Sequence, residues 1–129
     1  PTSSYPRCRP YENFAWSRAK LDDVIEIIPC RRRHQGVEIF SGLLLRYANR
    51  QQTCVGQVRL DQLATPLGVD SACKLWLGFS LTGDGPRVSN IRVSREVATL
   101  PDGENWFHVD WCNDLEWWYS SRQCQLSQQ

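Results

Sequence analysis

The sequence predicts an all-β fold, a single antiparallel β-sandwich or small barrel with at most one or two short helices. The clearest observation is the run from Lys74 to Leu81, where Leu75, Leu77, Phe79 and Leu81 alternate with polar or aromatic residues. Such alternation is typical of a strand that covers a core with one face. Several more short β-rich stretches are separated by Gly, Pro, Asn and Asp, and no long segment has the helical period.

Length and composition indicate one globular domain. The chain has 129 residues, of which 41% are hydrophobic and 22% are charged. These values suit one buried core and argue against disorder. Residues 1–10 include three prolines without a periodic pattern, so we expect an extended lead-in there and a single β-rich domain over residues 11–129.

The charge balance bears on partners. Fifteen basic and fourteen acidic side chains leave a net charge of +1, so no strong overall field attracts nucleic acid. The longest apolar runs are too short to cross a bilayer, and we expect neither a nucleic acid nor a membrane partner. The chain begins with Pro1 and contains no methionine or recognisable leader, which favours a domain excised from a larger chain.

The first half of the chain divides into four predicted elements. A helical turn is expected within residues 11–20, because Phe14, Arg18 and Leu21 share a helical face. Residues 24–28 are mostly β-branched, and Pro29 follows them, so they predict a strand. Residues 31–36 are expected to form a basic solvated loop rather than a phosphate-binding patch, because no aromatic or glycine-rich cradle accompanies them. Residues 37–60 predict a β-hairpin whose turn begins at Asn49, a residue that tolerates left-handed backbone.

The second half continues the β pattern. Residues 61–71 predict a loop with one helical turn near Gln62. Residues 88–93 predict a strand with an irregularity at Asn90. Residues 106–111 and 115–120 predict a second hairpin. The apolar sides of these strands are expected to form the core: Leu43, Leu45, Leu75, Leu77, Phe79, Val109 and Leu115.

The six cysteines are widely spaced, below the density of small disulfide-stapled scaffolds. They are Cys8, Cys30, Cys54, Cys73, Cys112 and Cys124. With no leader visible, this distribution favours reduced thiols and a cytoplasmic protein, whereas three bridges would indicate an extracellular one.

Only one short segment offers catalytic chemistry. His108, Asp110 and Cys112 alternate, so they would share one face of a strand, where an oriented histidine could activate the thiol. A small thiol or acid/base hydrolase is therefore the alternative to a binding module. The same segment with Cys124, or Cys30 with His34, lacks the paired short spacing of a zinc site. We expect no metal and no cofactor, and favour a strand face of mixed polarity.

Tryptophan is the feature that suggests a function. Six are present, and strand alternation sends Trp117 and Trp118 to opposite faces, with Trp117 inside. Exposed indoles are common at binding hot spots. We therefore predict a non-catalytic module that recognises a partner protein or a carbohydrate. The candidate contacts are Trp76, Trp111 and Trp118, with Arg46 and Arg92 as polar neighbours. Alternatively, the tryptophans fill the core or a seam with the rest of the parent chain.

One stretch resembles a known class of domain. The run from Gly42 to Asn49, followed by Cys54 to Gln57, resembles the hairpins of β-rich lectin-like modules of the jacalin type. It is also similar to β-rich modules of unassigned function in fungal proteins. The resemblance implies a lectin-like, all-β module. It carries over no binding residue, because the glycine-then-aspartate sugar loop of the jacalin type is absent after Leu115.

Overall fold

The computed structural model describes residues 14–34, 36–70, 72–82, 85–95, 105–120 and 123–128. Over these residues the predicted all-β fold is confirmed, as a sandwich-like pair of open antiparallel sheets rather than a closed barrel. The strands are β1 (Ala15–Lys20), β2 (Val24–His34), β3 (Val37–Tyr47), β4 (Gln52–Gly56), β5 (Leu67–Gly68), β6 (Lys74–Thr82), β7 (Gly85–Ser94), β8 (Asn105–Val109), β9 (Asp114–Tyr119) and β10 (Cys124–Gln128).

The smaller sheet has the order β1-β9-β10, and the larger has the order β5-β2-β3-β7-β6-β8 with β4 added beside β3. Polar contacts join them, among them a hydrogen bond from the Tyr47 hydroxyl to the Lys20 carbonyl. The Ser17 hydroxyl accepts a hydrogen bond from the Gly56 amide and donates one to the Trp117 carbonyl. At another point the Gln128 side chain bonds both the amide and the carbonyl of Asp110.

The core lies between the sheets, and most of its predicted members are confirmed. Six of the seven predicted residues are buried: Leu43, Leu45, Leu75, Leu77, Val109 and Leu115. Phe79 is only half-buried, although it packs against the core. Leu81 continues the same alternation yet is 82% exposed, so the apolar face of β6 extends beyond the core.

The predicted helical turn in residues 11–20 is wrong where the structure describes it. Residues 15–20 form β1, which pairs along its length with β9 from Ala15 opposite Tyr119 to Lys20 opposite Asp114. The helical spacing of a few apolar residues is outweighed by this pairing, since tertiary contacts override weak local propensity. The second expected helical turn is present as a 3₁₀ turn at Leu60–Gln62.

The basic segment is also different from the prediction. Strand β2 continues through Pro29, and Arg31, Arg32 and Arg33 lie in it, opposite β3. A shift in register at Cys30 and Arg31 accompanies the proline, which β-strands tolerate beside such irregularities. Three arginines expected in a loop are therefore held on a strand.

The hairpin predicted in residues 37–60 is confirmed as β3 and β4. Its turn differs in detail, because Arg50, with φ of 71°, adopts the left-handed backbone expected of Asn49. The Asn49 side chain instead accepts a hydrogen bond from the Gln51 amide, a local bond typical of asparagine in turns.

The second predicted hairpin is wrong. Strand β8 pairs with β6 in the larger sheet, whereas β9 pairs with β1 and β10 in the smaller one. Residues 110–113 therefore cross from one sheet to the other. The predicted irregularity near Asn90 is present, because the register between β6 and β7 shifts where Gly78 opposes Asn90 and Phe79 opposes Val88.

The predicted lead-in, residues 1–10, and Cys8 lie outside the described residues. In the described part, no helix has the length and apolar character needed to cross a membrane. The five cysteines within it are all free thiols: Cys30, Cys54, Cys73, Cys112 and Cys124.

Candidate binding surface on the three-stranded sheet

The solvent side of the smaller sheet carries the most distinctive side chains. Leu115 and Trp117 of the central strand β9 are fully buried in the core, so the residues between and beside them lie on the opposite side. The registers of β1 and β10 extend this alternation across the sheet. We call this side the outer face, and its residues are Trp16, Arg18, Lys20, Asp114, Glu116, Trp118, Gln125 and Ser127.

Two tryptophans lie side by side on the outer face. Trp16 on β1 is directly opposite Trp118 on β9, and their ring centroids are 6.4 Å apart at a tilt of 52°. That geometry is favourable for two aromatic rings. Trp118 is half-buried, and 43% of Trp16 is exposed. The prediction that Trp117 points inward and Trp118 outward is confirmed.

A carboxylate lies beside this pair. Glu116 is fully buried although it belongs to the outer face. Its Oε2 accepts a hydrogen bond of 2.7 Å from Nε1 of Trp16, and its Oε1 accepts one of 3.4 Å from the Ser127 hydroxyl. These donors fit the rule that a buried polar group requires hydrogen-bond partners. Glu116 thus holds the Trp16 ring in a defined orientation.

Charged side chains continue the outer face toward one end. Arg18 lies opposite Glu116, but its Nε donates to Oδ2 of Asp114 over 2.9 Å. Both side chains of this ion pair are partly exposed. At the other end, Gln125 lies beside Trp118 and is exposed. The face therefore combines two indoles with hydrogen-bond donors and acceptors within one small area.

The structure does not bring the other predicted aromatic contacts to this face. Trp76 lies on β6 of the larger sheet and is only 9% exposed, so its predicted exposure is wrong. Its Nε1 donates to the Ser94 carbonyl, and its ring is 5.3 Å from that of His108. Neighbouring strands on both sides cover it. Trp111 is half-buried against the core, and its Nε1 donates to the Cys73 carbonyl.

The two predicted polar neighbours are also distant in the topology. Arg46 is on β3, where its Nη1 pairs with Oε1 of Glu26 over 3.0 Å. Arg92 is exposed on β7, opposite Trp76. Both belong to the larger sheet, whereas Trp118 belongs to the smaller one.

The alternative catalytic residues do not form one cluster. Strand β8 ends at Val109, so Asp110 and Cys112 leave the strand face that His108 occupies. His108 packs on Trp76, Asp110 pairs with Lys74 at 3.5 Å, and Cys112 is exposed in the following turn. Across the described residues, no hydrogen bond joins any two of these three side chains.

The two metal sets weighed from sequence were His108 with Cys112 and Cys124, and Cys30 with His34. Within the residue ranges described, no three His, Cys, Asp or Glu side chains converge as a metal site. The side chain of His34 lies outside the described part of the chain.

The sequence prediction missed Trp16, because its segment was assigned to a helical turn. The signal that identifies it is alternation, since Trp16, Arg18 and Lys20 are larger than the intervening Ser17 and Ala19. Comparisons of the chain with protein-family models, with curated proteins and with solved structures found no match. The function is therefore inferred from the geometry of the outer face.

Proposed function

We propose that this domain is a non-catalytic module that binds a carbohydrate on the outer face of its three-stranded sheet. The observation that carries the proposal is the Trp16–Trp118 pair beside the buried carboxylate of Glu116. An indole offers a flat apolar surface on which the C–H face of a sugar ring stacks, at little cost in side-chain entropy.

The polar groups around the two rings can form hydrogen bonds with the hydroxyl groups of a sugar. Binding sites for small ligands combine apolar walls with a few placed hydrogen-bonding groups. Asp114 supplies acceptors for hydroxyl protons, and Gln125 supplies both donors and acceptors. Because Trp16 is held by Glu116, part of the surface is ordered before binding, which lowers the entropy cost of association.

A partner protein is the second candidate for the same surface. The supporting observation is the exposure of Trp16, since tryptophan is enriched where proteins bind one another. We favour a carbohydrate because charged and amide side chains flank the indoles closely, whereas the centre of a protein interface is depleted of charge.

The proposal is tested on a glycan array with the full chain and its Trp118→Ala and Trp16→Ala variants. We expect each variant to weaken sugar binding by about 2 kcal/mol or more, as for a binding hot spot. Trp118→Ala should change the free energy of unfolding by only about 1 kcal/mol, because the side chain is partly exposed. Leu81→Ala is the matched control, since it truncates an exposed apolar side chain of the larger sheet.

The result that overturns the proposal is a wild-type chain that binds no glycan, or tryptophan variants that bind as well as Leu81→Ala. Binding of a purified partner protein that is lost in the same two variants would assign the outer face to protein recognition instead. If Trp118→Ala unfolds, the Trp16→Ala variant still provides the binding comparison, because Trp16 is the more exposed ring.

A further inference from the structure

A second surface of the molecule collects positive charge. Arg32 and Arg33 of β2 line a cavity together with Arg59, which follows β4. The cavity has a volume of about 260 Å³, and its remaining described walls are Ser41, Gln57 and Gln62. We call this cavity the arginine cleft.

The arginine cleft continues into a neighbouring depression lined by Arg87 of β7. Arg32, Ser41 and Gln57 line both parts. Four arginines, from two strands and a connecting segment, therefore line the two parts. The described residues that line the two parts include no aspartate and no glutamate. The net charge of the whole chain is only +1, so this charge is a local concentration.

The carboxylate that pairs with Arg59 lies at the surface. Asp61 lies 3.5 Å from Nε of Arg59, but both side chains are more than half exposed. Such exposed pairs contribute little energy because water and salt screen them. The side chain of Arg59 can therefore turn toward a ligand at small cost.

Burial makes this cluster unusual. Arg87, in the adjoining depression, is 5% exposed. Arg32 Nε is buried and has no hydrogen-bond acceptor. A buried N–H without an acceptor is costly, and more so on a charged group. An anion in the cleft would supply that acceptor and the opposite charge together.

We infer that the arginine cleft binds a tetrahedral oxyanion, the phosphate or sulfate ester of a ligand. A single guanidinium satisfies a planar carboxylate through one bidentate contact, whereas phosphate and sulfate present oxygens in several directions. Arginines on β2 and on the segment after β4 line the cleft, with Arg87 in the depression beside it, and such a set suits the tetrahedral group. The amide side chain of Gln57 adds a hydrogen-bond donor. This inference is independent of sugar binding on the outer face.

The test is calorimetric titration of the full chain at constant ionic strength. The probes are inorganic phosphate, inorganic sulfate, glucose 6-phosphate and glucose 6-sulfate, with sodium acetate as the planar control. We expect phosphate or sulfate groups to bind and acetate to bind at least about tenfold more weakly, because acetate engages fewer guanidinium groups. The tighter of the two sugar esters identifies which ester the cleft recognises.

Arg59→Gln and Arg32→Gln should each weaken this binding by about tenfold, since each removes a charge-assisted contact. Arg59 is exposed, so its variant should fold normally and remain informative if substitution of Arg32 disturbs the sheet. Arg95→Gln is the matched control, because Arg95 is an exposed arginine that lines neither part of the cleft. Equal binding of acetate, or unchanged affinity in Arg59→Gln, would overturn the inference.

Discussion

The indole of Trp16 donates a hydrogen bond of 2.7 Å to the carboxylate of Glu116, although the two residues are 100 positions apart in the chain. The bond connects the edge strand β1 to the central strand β9 on the solvent side of the smaller sheet. Glu116 orders the surface, and Trp16, which it holds, is the side chain that would contact a ligand. Stability and binding are therefore expected to depend on the same carboxylate.

We expect Glu116→Ala to lower the free energy of unfolding by about 1–3 kcal/mol, because it removes the acceptor of Trp16 and Ser127 within a buried site. Glu116→Gln should cost less, since the amide keeps an oxygen acceptor and nearly the same volume. Urea unfolding followed by tryptophan fluorescence measures both. Equal losses in the two variants would mean that the hydrogen bond of Trp16 contributes nothing.

Two leucines on the same strand provide a test of the core. Leu77→Ala should cost about 2–5 kcal/mol through lost burial and a residual cavity. Leu81→Ala removes the same atoms from a side chain that is 82% exposed, and should change stability by less than about 0.5 kcal/mol. Denaturant unfolding of both variants measures the difference. Similar losses of unfolding free energy would contradict the finding that Leu77 is buried and Leu81 is exposed.

Gly42 is required because β3 passes very close to the backbone of Val55 and Gln57 at this position. A Cβ at this position would lie 2.4 Å from the Val55 carbonyl oxygen and 2.7 Å from that of Gln57. Since backbone atoms cannot move aside as side chains do, Gly42→Ala should destabilise the β3–β4 hairpin strongly. Gly68→Ala is the control, because a Cβ there meets nothing within 4 Å. Thermal unfolding should show a large fall for Gly42→Ala only.

The buried thiol of Cys124 makes stability depend on alkaline pH. Burial raises the pKa of Cys124 from 9.0 to about 11, with only partial opposition from a Val88 backbone hydrogen bond and the charge of Arg87. The unfolded chain therefore releases this proton at lower pH than the folded one. The stabilising contribution is fully present below about pH 9 and is lost as pH rises toward about 11.

The loss at high pH should reach about 2–3 kcal/mol, the equivalent of a shift of about two units. It is measured as the free energy of unfolding between pH 8 and 11 in the wild type and in Cys124→Ala, where this dependence should be shallower. At pH 8, iodoacetamide should label the exposed Cys112 faster than Cys124. A similar labelling rate for both thiols would contradict the burial of Cys124.

Alternation along the sequence was enough to predict the most regular strands and the sides on which their residues lie. Leu75 and Leu77 could be assigned to the core, and Trp117 and Trp118 to opposite faces, because a period of two depends only on the geometry of one strand. The β3–β4 hairpin was likewise predictable, since its partner follows within a few residues.

Which strands pair, and what covers each face, depended on contacts between distant parts of the chain. Trp16 joined the outer face because β9 recruits residues 15–20 as a strand, and Trp76 became buried because β7 and β8 flank it. Arg32 and Arg33 line one cleft with Arg59 for the same reason. These contacts span many residues along the chain, and local propensity and spacing contain no information about which distant segments meet.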